Sequence, residues 1–187
     1  MDQAIRNPNA ADAAPAMSDT ADIRKRARKS VEDGAVTSSY GVSRAKEVCR
    51  LLNEALATEI TCVLRYRRHY FTASGIDSAE IKKEFLVHSN EELAHADRIA
   101  ERIVQLGGEP DLDPATLLAR SHADYVPGKD LKSMIKENLV AERIAIESDR
   151  EMIAYVSAFD PTTRKLLVEV LEQEEGHADE LKDWLPD

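Results

Sequence analysis

The 187-residue sequence has few cysteines, glycines and prolines and no long hydrophobic run. Two cysteines, Cys49 and Cys62, are too few for a disulfide-stapled secreted scaffold and favour a reducing cytosol. They cannot pair within the chain, because one predicted helix would hold them roughly 20 Å apart. No apolar stretch approaches the roughly 18 residues that a membrane span needs, and the N-terminus lacks the hydrophobic core of a signal peptide. We therefore expect a cytoplasmic protein without membrane contacts.

The sequence also lacks a net positive charge. Its formal charge of −10 disfavours nucleic-acid binding by the body of the protein and suits a protein that attracts cations. One basic run, RKRARK at residues 24–29, could contact DNA phosphates. However, residues 1–40 contain six basic and six acidic side chains, so this segment has no net charge. We expect at most a weak DNA contact through the N-terminal basic run.

Residues 1–42 are predicted to form an N-terminal tail with one short basic helix. Residues 1–19 are rich in Ala, Asn, Asp and Pro and have no apolar period, which is typical of a flexible segment. Thr20 can cap a short helix that ends at Gly34 and carries three apolar residues on one face. The remaining residues, 43–187, are predicted to form a separate helical domain.

Apolar residues recur every three or four positions in four long segments of that domain. The segments cover about 43–73, 78–106, 130–157 and 161–184. Short connections join the first segment to the second and the third to the fourth, so each pair should form an antiparallel hairpin. More than twenty residues with three prolines separate the second segment from the third, enough to cross the length of a bundle. The pattern predicts an all-α four-helix bundle with one long crossover.

Six residues of metal-ligand type occupy positions that the helical period sends into the core. They are Glu59, Glu92, His95, Glu142, Glu174 and His177. Their order is E…ExxH…E…ExxH, and the lone glutamate precedes the motif glutamate by 33 residues in the first hairpin and by 32 in the second. Each ExxH motif places a carboxylate and an imidazole on one helix face. The near-equal spacing suggests a two-fold repeat of one metal-binding hairpin.

Four buried carboxylates require compensating positive charge. A single buried carboxylate without a counter-charge costs several kcal/mol, whereas two divalent metal ions would balance all four glutamates. Carboxylate and imidazole ligands with open positions suit a redox-active first-row metal better than structural zinc, for which thiolates would be expected. One ExxH motif alone is more often a solvated helix face. Two motifs, each with an in-phase glutamate on the partner helix, are a specific signal for two metal ions.

The sequence around these residues resembles bacterioferritin and its close ferritin-like relatives over roughly residues 45–184. The similar stretches are LNEALATEI, NEELAHADR, NLVAERIAIES and LEQEEGHADEL. The resemblance implies a ferritin-like four-helix bundle with two iron ions as cofactors, bound by all six residues, with Glu92 and Glu142 bridging the irons. It also implies a catalytic role for Tyr66, which could hydrogen-bond a ligand or supply an electron. The alternative for Tyr66 is a core aromatic residue with a satisfied hydroxyl.

Two departures from the family pattern concern haem and assembly. Haem-binding bacterioferritins have a methionine directly after the bridging glutamate of the second helix, where this chain has Leu93, so we expect no haem. The chain ends ten residues after His177, which leaves no room for the fifth helix of 24-subunit ferritins. We therefore expect a homo-oligomer and favour a 12-subunit, Dps-like shell over a 24-subunit cage.

The function implied by the resemblance is that of a ferroxidase, which oxidises Fe²⁺ with O₂ or H₂O₂ for iron storage and protection from oxidative stress. Two alternatives remain open. The first is a non-storing di-iron or di-manganese peroxidase, although a rubrerythrin-type enzyme would usually add a CxxC…CxxC iron site, which this sequence lacks. The second is a Dps-like DNA-binding protection protein.

Four further residues lie close in sequence to the six candidate ligands. His88 is predicted to be a satisfied or surface histidine rather than a transient iron site or a support for the ligands. Cys62 is predicted to be a small buried residue rather than a redox group. Glu91 and Glu175 neighbour candidate ligands but point about 100° away from them. They are predicted to be solvated or to line an iron path.

Overall fold

A computed structural model describes residues 17–34, 36, 40–76 and 78–185 of the protein, and all its regular secondary structure there is helical. The helices are α1 (Thr20–Lys29), α2 (Val42–Thr72), α3 (Ser78–Gln105), α4 (Leu117–Arg120), α5 (Leu131–Val156) and α6 (Pro161–Asp183). The predicted ferritin-like fold is confirmed, with α2, α3, α5 and α6 as the four long helices and α4 as a short turn within the crossover. Among the described residues, no helix is both long enough and apolar enough to cross a membrane.

The short basic helix differs from its prediction at both ends. Asp19, rather than Thr20, caps it, because the Asp19 carboxylate accepts a hydrogen bond from the backbone N–H of Ala21 at 2.7 Å. The helix ends at Lys29 instead of continuing to Gly34. No residue of α1 is buried in the described structure, so packing does not extend it beyond its local propensity. The chain divides into two units between residues 33 and 34, and residues 1–16 of the predicted tail lie outside the described part.

Capping residues set the starts of α5 and α6. The Asp130 carboxylate accepts from the Ser133 backbone N–H at 2.8 Å, and the Ser133 hydroxyl accepts from the Asp130 N–H at 2.9 Å. At α6, the Asp160 carboxylate accepts from the Thr163 N–H at 2.9 Å, and Pro161 occupies the first turn. These caps determine where each helix begins.

The apolar core consists of two clusters separated along the bundle. One cluster includes Leu52, Ile99, Val156 and Leu167, and the other includes Tyr66, Phe85, Ile135 and Leu181. On each long helix, the candidate ligands lie between residues of the first cluster and residues of the second. The middle of the bundle is therefore enclosed at both ends by side chains that exclude water.

Two basic side chains of α2 attach the crossover to the bundle. Arg65 is completely buried, donates from Nε to Asn138 Oδ1 at 2.9 Å, and donates from Nη1 to the carbonyl of Asp124 at 3.2 Å. His69 contacts the same Asn138 oxygen at 3.1 Å and the carbonyl of Pro127 at 3.0 Å. These contacts satisfy carbonyl groups of the crossover at the end of the bundle that contains Tyr66.

Candidate metal centre

The six candidate ligands converge in the middle of the bundle. α2 and α5 contribute one glutamate each, and α3 and α6 contribute one ExxH motif each. All six side chains are buried, with at most 5% of any residue exposed. They form two groups, each with ligand atoms within 4.8 Å of one another: Glu59, Glu92, His95 and Glu174 in one, and Glu92, Glu142, Glu174 and His177 in the other.

Glu92 and Glu174 belong to both groups and could therefore contact both metal positions. This differs from the expected bridging pair of Glu92 and Glu142, because Glu142 belongs to one group only. The two shared glutamates come from α3 and α6, the helices that also carry the histidines. The geometry thus favours a centre in which the two ExxH motifs supply both bridging carboxylates.

Hydrogen bonds orient both histidines with Nδ1 toward the centre. His95 Nε2 lies 2.8 Å from Gln173 Oε1, and His177 Nε2 lies 2.9 Å from Glu91 Oε2. Because these oxygens are acceptors, each Nε2 donates its proton outward, and each Nδ1 faces the centre, where it can bind a metal ion once it has lost its own proton. The sequence analysis missed Gln173, and it treated Glu91 as solvated or part of an iron path. Glu91 is only partly exposed and contacts a candidate ligand, and its place on an iron path stays a prediction.

The inward-facing polar atoms have no hydrogen-bond partner among the described residues. They are Glu59 Oε2, Glu92 Oε1, His95 Nδ1, Glu142 Oε2, both carboxylate oxygens of Glu174, and His177 Nδ1. His95 Nδ1 approaches Glu174 Oε1 to 2.9 Å, but the contact lacks the alignment of a hydrogen bond. Buried polar atoms without partners are rare in native proteins, and here they are concentrated on ligand-type residues. The donor set fits two divalent first-row metal ions.

Burial of the cluster and repulsion between its carboxylates favour the binding of protons. Burial, reinforced by neighbouring carboxylates, raises the pKa of Glu59 and Glu174 well above the usual range. Burial lowers the pKa of His95 and His177, but contacts with the glutamates outweigh it and raise both. Burial likewise opposes ionisation of Glu92, but the close approach of His177 and His95 outweighs it and holds the pKa of Glu92 well below normal. Metal ions entering this site must displace protons, so their affinity should rise with pH.

Tyr66 lies between the centre and His88. Its hydroxyl donates a short hydrogen bond to Glu142 Oε1 and lies 3.2 Å from His88 Nδ1. Burial, together with the charges of Glu142 and Glu92, raises the pKa of Tyr66 well above its normal value. The phenol therefore remains protonated at neutral pH and can hold Glu142 in place. Its catalytic role stays a prediction.

Cys62 and Glu175 lie in the predicted environments. His88 is buried, with Nε2 lying 2.9 Å from Glu180 Oε2, and its role stays a prediction. Cys62 is buried, and its sulfur accepts from Arg65 Nη2 at 3.3 Å. Glu175 is exposed and accepts from Arg150 at 2.7 Å.

A further buried carboxyl group, that of Asp149, lies two turns after Glu142 on α5. Asp149 is 2% exposed, and its Oδ2 has no hydrogen-bond partner in the described part of the chain. Burial raises its pKa to about 7, with His95 lowering the pKa and Glu92 raising it. The only sequence signal for Asp149 is its position in the inward stripe of α5. Asp149 is therefore a group close to the centre that can exchange a proton near neutral pH.

The fold and the candidate site together define a four-helix carboxylate protein with a potential two-metal centre. The chain matches the Ferritin family, described as a ferritin-like domain, over residues 49–187 and belongs to it. It is 29% identical over 140 residues to bacterioferritin of Rhodobacter capsulatus, which covers 73% of this chain and 81% of that protein. It is also 29% identical over 139 residues to the nutrient stress-induced DNA-binding protein of a Synechococcus strain, covering 73% and 79% of the two chains.

A solved structure with the same fold is the bacterioferritin-related protein of Bacteroides fragilis, a dodecameric thioferritin. It is 31% identical to this chain and superposes on it with a TM-score of 0.72. The alignment covers 74% of this chain and 84% of the B. fragilis chain. The Desulfovibrio desulfuricans bacterioferritin has the same fold at 23% identity and a TM-score of 0.68. The region that matches the Ferritin family, residues 49–187, contains most of α2, the other three long helices and the six candidate ligands.

Proposed function

We propose that this chain is a ferroxidase of the iron-storage type, which binds two Fe²⁺ as substrate at one centre within the subunit. Membership of the ferritin-like family and similarity to bacterioferritins support an iron-handling role. The observation that carries the proposal is the cluster of inward-facing ligand atoms without hydrogen-bond partners, together with the two histidines whose outward nitrogens are already bonded. A purely structural polar cluster would satisfy its own hydrogen bonds.

Two Fe²⁺ ions supply the two electrons needed to reduce H₂O₂ to water or O₂ to H₂O₂. The residues of the chain bind and orient the ions and control protons. Glu92 and Glu174 can hold both positions at a short separation, and Tyr66 restrains Glu142. Burial raises the pKa of Asp149 to about 7 in the metal-free protein, so this group can exchange a proton near neutral pH. The apolar clusters at both ends of the centre limit access by water.

The direct test is an anaerobic titration of the full chain with Fe²⁺, followed by addition of O₂ or of H₂O₂. We expect tight binding to saturate at two Fe²⁺ per chain and oxidation to be faster than in protein-free buffer. A ferrous chelator in competition measures the binding, and ferric absorbance measures the rate. Equal rates with and without protein would refute the proposal, and comparison of the two oxidants identifies the preferred acceptor.

Storage further requires a shell, and the dodecameric B. fragilis relative supports a 12-subunit assembly for this chain. Particle mass and iron content after aerobic loading test this part of the proposal. A mass of about twelve subunits with many irons per chain supports storage. A small oligomer that retains only the two irons of the centre would support the non-storing peroxidase instead. DNA contact through α1, the identity of the metal in the cell, and the lack of haem inferred from Leu93 stay predictions.

We expect Tyr66→Phe to slow Fe²⁺ oxidation while leaving two Fe²⁺ bound per chain. The substitution removes only the hydroxyl that donates to Glu142, so the ligands stay in place but lose a restraint. Loss of such a supporting group typically reduces activity by about 10- to 100-fold. Stopped-flow oxidation measures the change, with Tyr70→Phe on the same helix as the control. A wild-type oxidation rate for Tyr66→Phe would show that Tyr66 packs in the core without contributing to oxidation.

A further inference from the structure

A second group of ligand-type side chains lies beside the candidate metal centre. Glu84, His88 and Glu180 offer three ligand atoms within 4.8 Å of one another. Glu84 and His88 are one turn apart on α3, and Glu180 faces them from α6. The side chain of Glu180 is 57% exposed and that of His88 only 1%, with Glu84 in between. The group therefore reaches from solvent into the bundle.

The hydrogen bonds of His88 leave one ring nitrogen directed at an anion. Tyr66 has a single hydroxyl proton, which it donates to Glu142 in the short hydrogen bond. The Tyr66 oxygen can then only accept from His88 Nδ1, 3.2 Å away, so Nδ1 carries the imidazole proton. The other ring nitrogen, Nε2, lies 2.9 Å from Glu180 Oε2. A single cation could therefore contact both atoms.

His88 also connects this group to the centre. Its ring stacks on that of His177, with centroids 4.1 Å apart and planes inclined by 21°. His88, Glu91 and His177 form another group with ligand atoms within 4.8 Å of one another. His177 is itself a candidate ligand of the centre. Overlapping ligand groups therefore lead from the exposed carboxylate of Glu180 to the buried glutamates.

We propose that Glu84, His88 and Glu180 form a third divalent-cation site, from which Fe²⁺ passes by way of Glu91 to the centre. Two carboxylates and one imidazole offer three ligand atoms to a divalent ion, and solvent at Glu180 leaves positions for exchangeable water. The site has fewer carboxylates than the centre, so it should bind more weakly and fill last. Transfer to the centre rests on the proposed ferroxidase function, whereas cation binding at the third site does not.

Equilibrium titration of the full chain with Co²⁺ tests the site, because the visible absorption of Co²⁺ reports its ligands. We expect the wild-type protein to bind three Co²⁺ per chain, two tightly and one more weakly. Glu180→Gln and Glu84→Gln should each weaken only the third by at least about tenfold. Glu172→Gln is the matched control, because Glu172 is an exposed glutamate of α6 outside all four ligand groups. It should still bind three.

Rapid mixing with limiting Fe²⁺ tests the transfer. Glu180→Gln should slow loading of the centre about tenfold, while the equilibrium stoichiometry at the centre remains two. Two Co²⁺ per wild-type chain, or a third Co²⁺ that survives both substitutions, would overturn the third site and leave the centre intact. Slow oxidation with normal binding in the wild-type protein would instead count against the ferroxidase function. Unchanged loading in Glu180→Gln would reject the proposed route.

Discussion

Glu92→Ala is expected to reduce the initial rate of Fe²⁺ oxidation by at least about a hundredfold. Glu92 belongs to both ligand groups, so its loss removes an oxygen ligand from both metal positions at once. Loss of a group that only supports a ligand already lowers metal affinity or activity by about 10- to 100-fold. Loss of a shared ligand should reach at least the upper end of that range. The rate and the anaerobic Fe²⁺ stoichiometry can be measured on the same protein sample.

The same substitution should remove the stabilisation of the fold by metal while leaving the bundle folded. A metal ion that binds only the native state at a hundred times its Kd stabilises it by about 2.7 kcal/mol. We expect Co²⁺ to raise the midpoint of thermal unfolding in the wild-type protein and to have little effect on Glu92→Ala. Glu101→Ala, an exposed glutamate of the same helix, is the matched control and should respond like wild type. Two tightly bound Fe²⁺ per chain and a wild-type rate in Glu92→Ala would place the centre elsewhere.

The long helices were predictable because local chemistry and periodicity agree at their ends. Pro161 and Asp160 specify the start of α6, and the prediction begins that helix at the same residue as the structure. The Ser74–Gly75 pair similarly follows the end of α2, where Gly75 adopts a φ of 123°. Once both ends of a helix are known, the 3.6-residue period determines which side chains share a face. The six candidate ligands fall on the inward faces of their helices by this period, and they therefore converge in the bundle.

The orientation of those ligands could not be predicted in the same way. Gln173 directly precedes Glu174 and therefore belongs to a different face of α6, yet it reaches His95 on α3. Glu91 likewise contacts His177 across the α3–α6 interface. Such contacts depend on the stagger between helices and on side-chain rotamers, which sequence spacing does not specify. The sharing of Glu174 rather than Glu142 between the ligand groups depends on the same stagger.

The end of α1 was missed for a different reason. Ile23 and Val31 form an apolar stripe in the sequence, but they are 41% and 79% exposed. Periodicity indicates where a helix could bury a face, whereas burial itself requires a partner surface. Without buried residues in the described structure, α1 depends on its caps and local propensity, and it ends at Lys29. Amphipathic spacing alone therefore did not locate the end of α1.

Arg102→Met should destabilise the protein by about 3–5 kcal/mol at neutral pH. Arg102 Nη2 lies 3.0 Å from Asp160 Oδ1, and the two side chains are only 7% and 2% exposed. Methionine retains much of the apolar volume but leaves the buried carboxylate without its cation. Tyr40 and Thr163 also donate hydrogen bonds to Asp160, and neither supplies a positive charge.

The loss should depend on pH with a defined sign. Burial opposes ionisation of Asp160, but hydrogen bonds from Thr163 and Tyr40 and the charge of Arg102 lower its pKa below the ordinary value of 3.8. A lowered pKa in the folded state stabilises the protein above the unfolded-state pKa, and this contribution disappears as the pH falls through the folded-state value. The difference between Arg102→Met and wild type should therefore be fully present at pH 7 and shrink below about pH 4.

Arg98→Met provides a matched control, because Arg98 pairs with Glu169 across the same two helices. That pair lies at 2.5 Å, but its side chains are 36% and 44% exposed. Exposed ion pairs contribute about 0–1 kcal/mol, so Arg98→Met should change the free energy of unfolding far less than Arg102→Met. Urea unfolding with a chelator, at equal protein concentration, compares the variants without metal linkage. Arg98 and Glu169 lie closer together than Arg102 and Asp160, but they are more exposed. The prediction attributes the difference in stability to burial, so equal losses in the free energy of unfolding for the two substitutions would contradict it.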